Sequence, residues 1–185
     1  MPERIITDVQ DNKRMLFFNK DSAFSNFYPC TIIAFDGERF NCAEQYYQAQ
    51  KCKFAGDYHT LQFVKQATNG REAKAATKHL RRQLTSEWDY TKANVLYDIV
   101  FLKFTQNADL SQRLINTDDC FMVEANPSDL YFGSGLAIED SRNNDPTFYR
   151  GQNVMGQILE QVRDRLRPPL PTNPLCRSVL LCPSS

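Results

Sequence analysis

Apolar residues recur at the spacing of an α-helix through most of the chain. The pattern predicts six helices, at residues 41–54, 57–67, 70–83, 89–106, 109–116 and 151–166. Asn69 and Gly70 separate the second of these from the third, because both residue types favour turns and helix ends. Most of the predicted secondary structure is therefore helical.

Three shorter stretches have the composition of strands. They are residues 14–20, a hairpin over residues 31–40 that turns at Asp36 and Gly37, and residues 120–125. Together with the helices they predict the α+β class: a helix-rich single domain with a small antiparallel sheet.

One long connection, residues 126–150, has neither the apolar period of a helix nor that of a strand. It is rich in Asn, Asp, Gly, Pro and aromatic residues. Long loops inside compact domains are often functional. Gly133 would let the backbone approach a ligand closely, and the neighbouring Asp129 and Phe132 offer a carboxylate and a stacking surface. An ordered surface turn is the alternative interpretation.

Composition limits the classes of protein that the chain can represent. Its 185 residues, 42% of them hydrophobic, suit one domain, and residues 168–185 hold five of the nine prolines, which predicts a disordered tail. Lys plus Arg equals Asp plus Glu, 22 each, and no basic stripe is visible. This balance argues against a nonspecific polyanion binder.

The cysteines, the histidines and the N-terminal residues argue against several other classes. Six cysteines without a CxxC pair predict reduced thiols in an intracellular protein, and we expect that protein to be cytoplasmic. The N-terminal residues lack the apolar core of a signal peptide, and no run reaches the length of a membrane span. Because no such run is present, we expect no membrane partner. With only two histidines, we expect no metal, and we also expect no cofactor.

The first predicted helix has an unusual polar stripe at the edge of its apolar face. At 100° per residue, Glu44, Gln48 and Lys51 align, beside a stripe formed by Ala43, Tyr47 and Phe54. Glu44 and Lys51 are separated by about 10 Å along the axis, so their long side chains can converge on one ligand. Ordinary explanations exist: Glu44 as the partner of an Asn41 cap in a capping box, and Lys51 as a solvated lysine.

Five stretches, taken together and in order, resemble the NADAR domain family, also called YbiA-like. They are FSNFYPC at 24–30, FDGERFNCAEQYYQAQKCKF at 35–54, REAKAATK at 71–78, VEANPSDLYFGSGL at 123–136 and GQNVMGQILEQVRDRL at 151–166. The resemblance extends over residues 14–167, as a catalytic domain with a YbiA-like fold. It leaves residues 1–13 as an N-terminal extension and 168–185 as the tail.

Two aromatic positions depart from the pattern of the family. Phe132 and Tyr149 stand where the family usually has tryptophan. Both substitutions keep an aromatic face for stacking but lose the indole N–H donor.

The resemblance implies hydrolysis of an N-glycosidic bond without a metal. Some members of the family release ADP-ribose from guanine, and a lysine Schiff base is implied for them, with Lys51 as the matching lysine. A lysine desolvated in a cavity is a suitable nucleophile. Glu44 would serve as an acid or base, and Gln48 would hold a ribose hydroxyl.

The resemblance also suggests further site residues. Asn26 and Phe27 would bind the sugar or stack on a base, Asp129 would activate water or hold a ribose, and Asn153 would present its side chain at a helix start. A turn with a core aromatic, a turn-forming Asp and an N-cap are the respective alternatives. Phe132, Gly133 and Tyr149 complete the predicted substrate-binding set.

Three functions are compatible with the sequence. The first is a glycohydrolase that acts on ADP-ribosylated guanine in nucleic acid or nucleotide. The second is an N-glycosidase that acts on ribosylated intermediates of riboflavin synthesis. The third is a module that binds ADP-ribose or NAD without turnover.

Overall fold

The computed structural model describes residues 3–8 and 12–168, so the predicted tail lies, apart from Pro168, outside the described residues. The helices are α1 Ala43–Ala55, α2 Tyr58–Gln66, α3 Gly70–Ala76, α4 Ser86–Gln106, α5 Ala108–Ile115 and α6 Val154–Leu166. The strands are β1 Glu3–Thr7, β2 Lys13–Phe17, β3 Ile32–Ile33, β4 Arg39–Phe40 and β5 Phe121–Glu124. The helix-rich α+β class is confirmed.

The main sheet has the strand order β1-β2-β5 and is mixed. β1 pairs antiparallel with β2, whereas β5 pairs parallel with β2, with Leu16 opposite Val123. The prediction of a purely antiparallel sheet is therefore wrong for this pair. The reason is the connection: five helices lie between β2 and β5, and such a crossover returns the chain in the same direction. β1 lies within the predicted N-terminal extension.

The predicted hairpin is present as β3 and β4, which pair antiparallel. Gly37 at its turn has φ +83°, a conformation that glycine adopts without steric cost. The predicted third helix is divided in two, because α3 ends at Ala76 and a 3₁₀-helix, Lys78–Arg82, follows Thr77. The predicted loop 126–150 contains two short 3₁₀-helices, Ser141–Asn144 and Pro146–Phe148.

Helix α4 separates two apolar clusters. Leu96, Val100 and Phe104 pack toward α5, α6 and β5, whereas Ile99 and Leu102 pack toward α1, α2, α3 and the hairpin. Burial of such side chains stabilises the fold by about 1.5–3 kcal/mol each. Because α4 contributes to both clusters, it fixes α1 relative to β5, and the two elements that hold the site described next are thereby held in place.

Candidate active site

A cavity of about 600 Å³ opens between α1, the α3 segment with its 3₁₀-helix, the start of α4 and the loop after β5. Its charged lining residues are Glu44, Asp89, Glu124, Asp129, Lys51, Lys74, Lys78, Arg81 and Lys92. Its aromatic lining residues are Phe27, Tyr47, Trp88, Tyr131 and Phe132. A site of this size, with convergent acids, amines and aromatic faces, suits a small organic ligand.

Seven of the ten predicted site residues line this cavity: Asn26, Phe27, Glu44, Gln48, Lys51, Asp129 and Phe132. They come from three separate segments of the chain: the loop between β2 and β3, helix α1 and the loop after β5. The other three, Gly133, Tyr149 and Asn153, are not among the lining residues.

Glu44 does not form the capping box considered above. Helix α1 begins one residue later than that interpretation requires, with Cys42 as its N-cap, whose Sγ accepts from the Gln45 N–H. Gln45, not Glu44, then reaches back, and its Oε1 accepts from the Asn41 N–H at 2.8 Å. The Glu44 carboxylate is thereby left to the cavity.

Glu44 is 5% exposed, and its carboxylate is held from two sides. Gln48 Nε2 donates to Glu44 Oε1 at 2.8 Å, and Lys74 Nζ lies 3.6 Å from the same oxygen. Gln48 is in turn oriented by Thr77, whose hydroxyl donates to Gln48 Oε1 at 2.6 Å. Gln48 therefore positions Glu44, and both of its polar atoms have protein partners.

Lys51 differs from Lys74 in its environment. Among the described residues, Lys51 forms no ion pair, whereas Lys74 pairs with Glu44. Burial lowers the pKa of Lys51, the charges of Lys74 and Arg81 lower it further, and Glu44 opposes the effect. A half-buried amine with a depressed pKa is more often in the neutral, nucleophilic form than a solvated lysine.

Glu124 was missed by the sequence interpretation. It ends the apolar strand β5 and lines the cavity. Burial, followed by the negative charges of Asp129 and Glu44, raises the pKa of Glu124 from its ordinary 4.5 to about 7. A carboxyl with such a pKa can donate a proton at neutral pH. The available signal was a lone acid at the end of an apolar strand.

Asp129 has the turn-forming role that was its alternative interpretation. Its Oδ1 accepts from the N–H groups of Tyr131 and Phe132, at 3.0 and 2.8 Å. Because Asp129 also lines the cavity, the second oxygen of the carboxylate remains available to a ligand. The turn fixes the two aromatic residues that follow it.

The loop that carries Asn26 and Phe27 meets the start of α1. The carbonyl of Asn26 accepts from the Glu44 N–H at 2.8 Å. The side-chain Oδ1 of Asn26 is buried and has no hydrogen-bond partner among the described residues. Lys74 Nζ lies 5.2 Å from the centre of the Phe27 ring. A buried acceptor without a partner at a cavity wall suits a ligand hydroxyl or amino group.

Aromatic rings form one side of the cavity. Tyr47 lies between Trp88, at 5.6 Å, and Phe132, at 5.9 Å between ring centres. Phe54, predicted in the same apolar stripe, is instead exposed, and its ring centre lies 5.3 Å from that of Trp88. Trp88, to which the sequence assigned no role, is buried and lines the cavity. These rings offer faces on which a planar base can stack.

A basic edge also borders the cavity. Lys78 and Arg81 are exposed and stand three residues apart in a 3₁₀-helix, so they share one face, and both line the cavity. Neither forms an ion pair among the described residues. A local basic surface is therefore present despite the neutral total charge. The sequence pattern did not reveal this basic surface, because Lys78 and Arg81 share a face only where α3 has ended and a 3₁₀-helix follows.

The three predicted residues outside the cavity have structural contacts. Asn153, at φ +51°, donates to the Met122 carbonyl and accepts from the Glu124 N–H, so it joins the start of α6 to β5. The Tyr149 hydroxyl donates to the Asn143 carbonyl.

Gly133 approaches protein backbone rather than a ligand. A Cβ at this position would lie 2.9 Å from the Asp129 carbonyl oxygen. The predicted substrate contacts of Gly133, Tyr149 and Asn153 therefore do not follow from this geometry. The contact of Asn153 does have a consequence for the site, since it fixes the backbone of Glu124.

Two kinds of feature are absent from the part of the chain that the structure describes. Within residues 3–8 and 12–168, no group of three or more His, Cys, Asp or Glu side chains is arranged to hold a metal ion. In the same part of the chain, no helix has the length and apolar character needed to cross a membrane. The four described cysteines, Cys30, Cys42, Cys52 and Cys120, are free thiols.

Proteins similar to this chain include a viral and a bacterial one. N-glycosidase R617 of Acanthamoeba polyphaga mimivirus is 30% identical, over 83% of this chain and 97% of its own length. Riboflavin biosynthesis protein VVA0006 of Vibrio vulnificus is also 30% identical, over 90% of this chain but only 43% of its own length.

The fold is similar to a solved structure. The NMR structure of the E. coli protein YbiA matches with a TM-score of 0.65 and 26% identity, over 89% of this chain and 90% of that one. That protein is named an N-glycosidase, which agrees with the prediction of an enzyme that hydrolyses N-glycosyl bonds. The model of the NADAR domain matches residues 14–167, the range over which the sequence resemblance extends. The chain therefore belongs to the NADAR domain family.

Proposed function

We propose that this protein is an N-glycosidase that releases ADP-ribose from ADP-ribosylated guanine, in nucleic acid or nucleotide, through a Schiff base on Lys51. The observation that carries the proposal is that Lys51 and Glu124 line the same cavity. Burial favours the neutral form of each group, an amine that can attack and an acid that can protonate a leaving group. The names of the related N-glycosidases support the type of bond.

The division of the cavity suits the two ends of such a substrate. The aromatic side, with Tyr47, Trp88 and Phe132, would hold the guanine base by stacking. The basic edge, with Lys78 and Arg81, would hold the diphosphate, because unpaired cations attract phosphate oxygens. The scissile bond would then lie between them, near Lys51 and Glu124.

The first step forms one bond and breaks another. The Lys51 amine attacks the anomeric carbon C1′, and the bond from C1′ to the guanine nitrogen breaks with its electron pair. Glu124 supplies the proton that the departing guanine takes up, and its carboxylate then accepts the proton released by the Lys51 nitrogen. Glu44, held by Gln48 and Lys74, stabilises the positive charge that develops on the sugar.

The second half restores the enzyme. The ribose ring opens as the C1′–O4′ bond breaks with its electron pair, and O4′ takes the proton that Glu124 accepted in the first step, which leaves a protonated imine between C1′ and Lys51. Water, activated by Asp129 or Glu124, adds to C1′, and the bond from C1′ to Lys51 breaks. One water is consumed, and guanine and ADP-ribose are released.

The second candidate is cleavage of a ribosylated intermediate of riboflavin synthesis. It is favoured by the similarity to the riboflavin biosynthesis protein of Vibrio vulnificus, of which this chain matches 43% of the length. Such a substrate would use the same acid and amine. It would need fewer cations than a diphosphate, so the basic edge favours ADP-ribose.

The test is incubation of the full chain with an oligonucleotide that carries ADP-ribosyl guanine, with GDP-linked ADP-ribose and with ribosylated pyrimidine intermediates, followed by chromatography of the products. The proposal expects free ADP-ribose from the guanine substrates and none with Lys51→Ala. Cleavage of only the pyrimidine intermediates would assign the riboflavin reaction instead. Binding of ADP-ribose, seen as a change in the fluorescence of Trp88, without any cleavage would assign a binding module.

A further inference from the structure

Lys103 is an ammonium group inside the fold, outside the cavity. Its side chain, on α4, is 0% exposed and forms no ion pair with the described residues. Nζ donates to the carbonyls of Ala23 and Ser25, at 2.6 and 2.7 Å. Both carbonyls belong to the loop between β2 and β3, the same loop that presents Asn26 and Phe27 to the cavity.

The part of this connection that reaches the cavity, residues 22–28, is called the loop 22–28 below, and it is held at three points. Lys103 binds it from α4, and Glu3 Oε1 binds it from β1 by accepting from the Ser22 hydroxyl and the Ala23 N–H at 2.9 and 3.1 Å. The third point is the Asn26 carbonyl, which accepts from the Glu44 N–H. A displacement of the loop would therefore move Asn26, Phe27 and the first turn of α1 together.

Burial of this charge has a cost that the core does not require. An ammonium group removed from water is unfavourable unless strong hydrogen bonds offset it, and an apolar side chain of similar volume often gives equal or greater stability. Burial lowers the pKa of Lys103 to about 8. A lysine at this position donates two short hydrogen bonds to the loop, which a methionine of similar volume could not do.

We propose that Lys103 is a positioning residue, whose ammonium group fixes the loop 22–28 so that Asn26, Phe27 and the start of α1 keep the geometry of the cavity. As far as it concerns turnover, the inference rests on the proposed glycosidase function. The effect on the loop does not depend on that function. Lys103 is not among the residues that line the cavity, so its effect on the cavity passes through the loop that it holds.

Hydrogen–deuterium exchange of the free protein tests the effect on the loop. Lys103→Met removes the two bonds and keeps most of the volume. Arg163→Met is the matched control, because Arg163 is also buried and donates to the Cys120 carbonyl and the Thr117 hydroxyl, and none of these three residues lines the cavity. We expect exchange to rise about tenfold in residues 22–28 and 43–46 for Lys103→Met, and only near 117–120 for the control.

Steady-state kinetics of the same two variants test the effect on turnover, at a temperature where both remain folded. We expect kcat/KM to fall about tenfold or more for Lys103→Met, with a raised KM because Asn26 and Phe27 are displaced, and to stay near wild type for Arg163→Met. In an Asn26→Ala background, Lys103→Met should lower kcat/KM by a much smaller factor, because the two changes affect one loop.

Equal exchange in residues 22–28 for wild type and Lys103→Met would overturn the inference. Additive effects of Lys103→Met and Asn26→Ala on kcat/KM would also overturn it, since a merely structural lysine would act independently of Asn26. If Lys103→Met does not fold, Lys103→Gln, which keeps two N–H donors on a shorter chain, is compared with Arg163→Gln by the same exchange measurement. If wild type cleaves none of the substrates, the proposed function fails, and the exchange result still decides the role of Lys103.

Discussion

Lys51 and Glu124 have pKa values that move in opposite directions for one physical reason. Burial penalises the charged form of each, so it lowers the pKa of the amine and raises that of the carboxyl. The neighbours then differ: Glu44 opposes the shift of Lys51, whereas Asp129 and Glu44 add to the shift of Glu124. Two groups of opposite charge type are thus brought toward neutrality in the same cavity.

A pH profile tests the role of Glu124 as the proton donor. For wild type, we expect kcat/KM to fall as pH rises through about 7, because the acid form of Glu124 is lost. Glu124→Gln should lower kcat/KM about 10²- to 10⁴-fold and abolish this limb of the profile. Glu160→Gln is the control, since burial also raises the pKa of Glu160 but it does not line the cavity. A wild-type limb that survives in Glu124→Gln would contradict the assignment.

The same carboxyl makes a prediction about stability. Because the pKa of Glu124 is raised by folding, its stabilising contribution is full below about pH 4.5 and is lost as pH rises through about 7. Glu124→Gln removes this titration. Thermal melts should therefore show the stability of the variant rising relative to wild type between pH 5 and pH 8. A difference that is constant over this range would mean that Glu124 titrates normally.

At the scale of the elements, the part of the site that lies on one helix was predictable and the part made between elements was not. Glu44, Gln48 and Lys51 share a stripe because of the helical period alone, and they do line one cavity. Thr77 and Glu124 reach that cavity because α3 packs on α1 and because β5 enters the sheet parallel to β2. Neither contact leaves a periodic signal in the sequence.

Gly70 tests whether the packing of α3 on α1 holds the site. A Cβ on this first residue of α3 would lie 2.9 Å from Glu44 Cβ and 3.0 Å from the Phe27 ring. Gly70→Ala should lower the free energy of unfolding by about 1–3 kcal/mol. It should also lower kcat/KM, because Glu44 and Phe27 are displaced.

Gly37→Ala is the control for this substitution. Gly37 has φ +83° but nothing within 4 Å, so alanine there costs about 1–2 kcal/mol of strain at the hairpin tip without a change at the cavity. Equal loss of stability and equal activity in the two variants would show that the α3 contact does not position Glu44. Unfolding in urea and steady-state kinetics give the two quantities.

At the scale of the whole molecule, the family match begins at residue 14, but the fold includes a strand before it. β1 pairs with all five residues of β2, and Glu3 holds the loop 22–28. Ile6 packs against the small cluster around Leu16 and Val123. We therefore propose that residues 3–7 are part of the functional domain, rather than an extension of it.

Deletion of residues 1–7 tests this proposal. The loss of the edge strand should cost about 2 kcal/mol of stability, which lowers the thermal midpoint by about 4–8 °C. Because Glu3 is lost, kcat/KM should fall even at a temperature where the shortened chain is folded. Ile5→Ala, a change at a side chain that is 58% exposed, should leave both quantities unchanged. Full activity of the shortened chain would show that residues 3–7 are an extension and not part of the functional domain.

Borohydride trapping during turnover tests the central claim most directly. The full chain is mixed with an oligonucleotide that carries ADP-ribosyl guanine, reduced, digested and examined by mass spectrometry, in parallel with Lys51→Ala and Lys74→Ala. The account predicts reduced ADP-ribose on Lys51 in wild type and in Lys74→Ala, and no adduct in Lys51→Ala. An adduct on Lys74, or release of guanine with no adduct on any lysine, would contradict it.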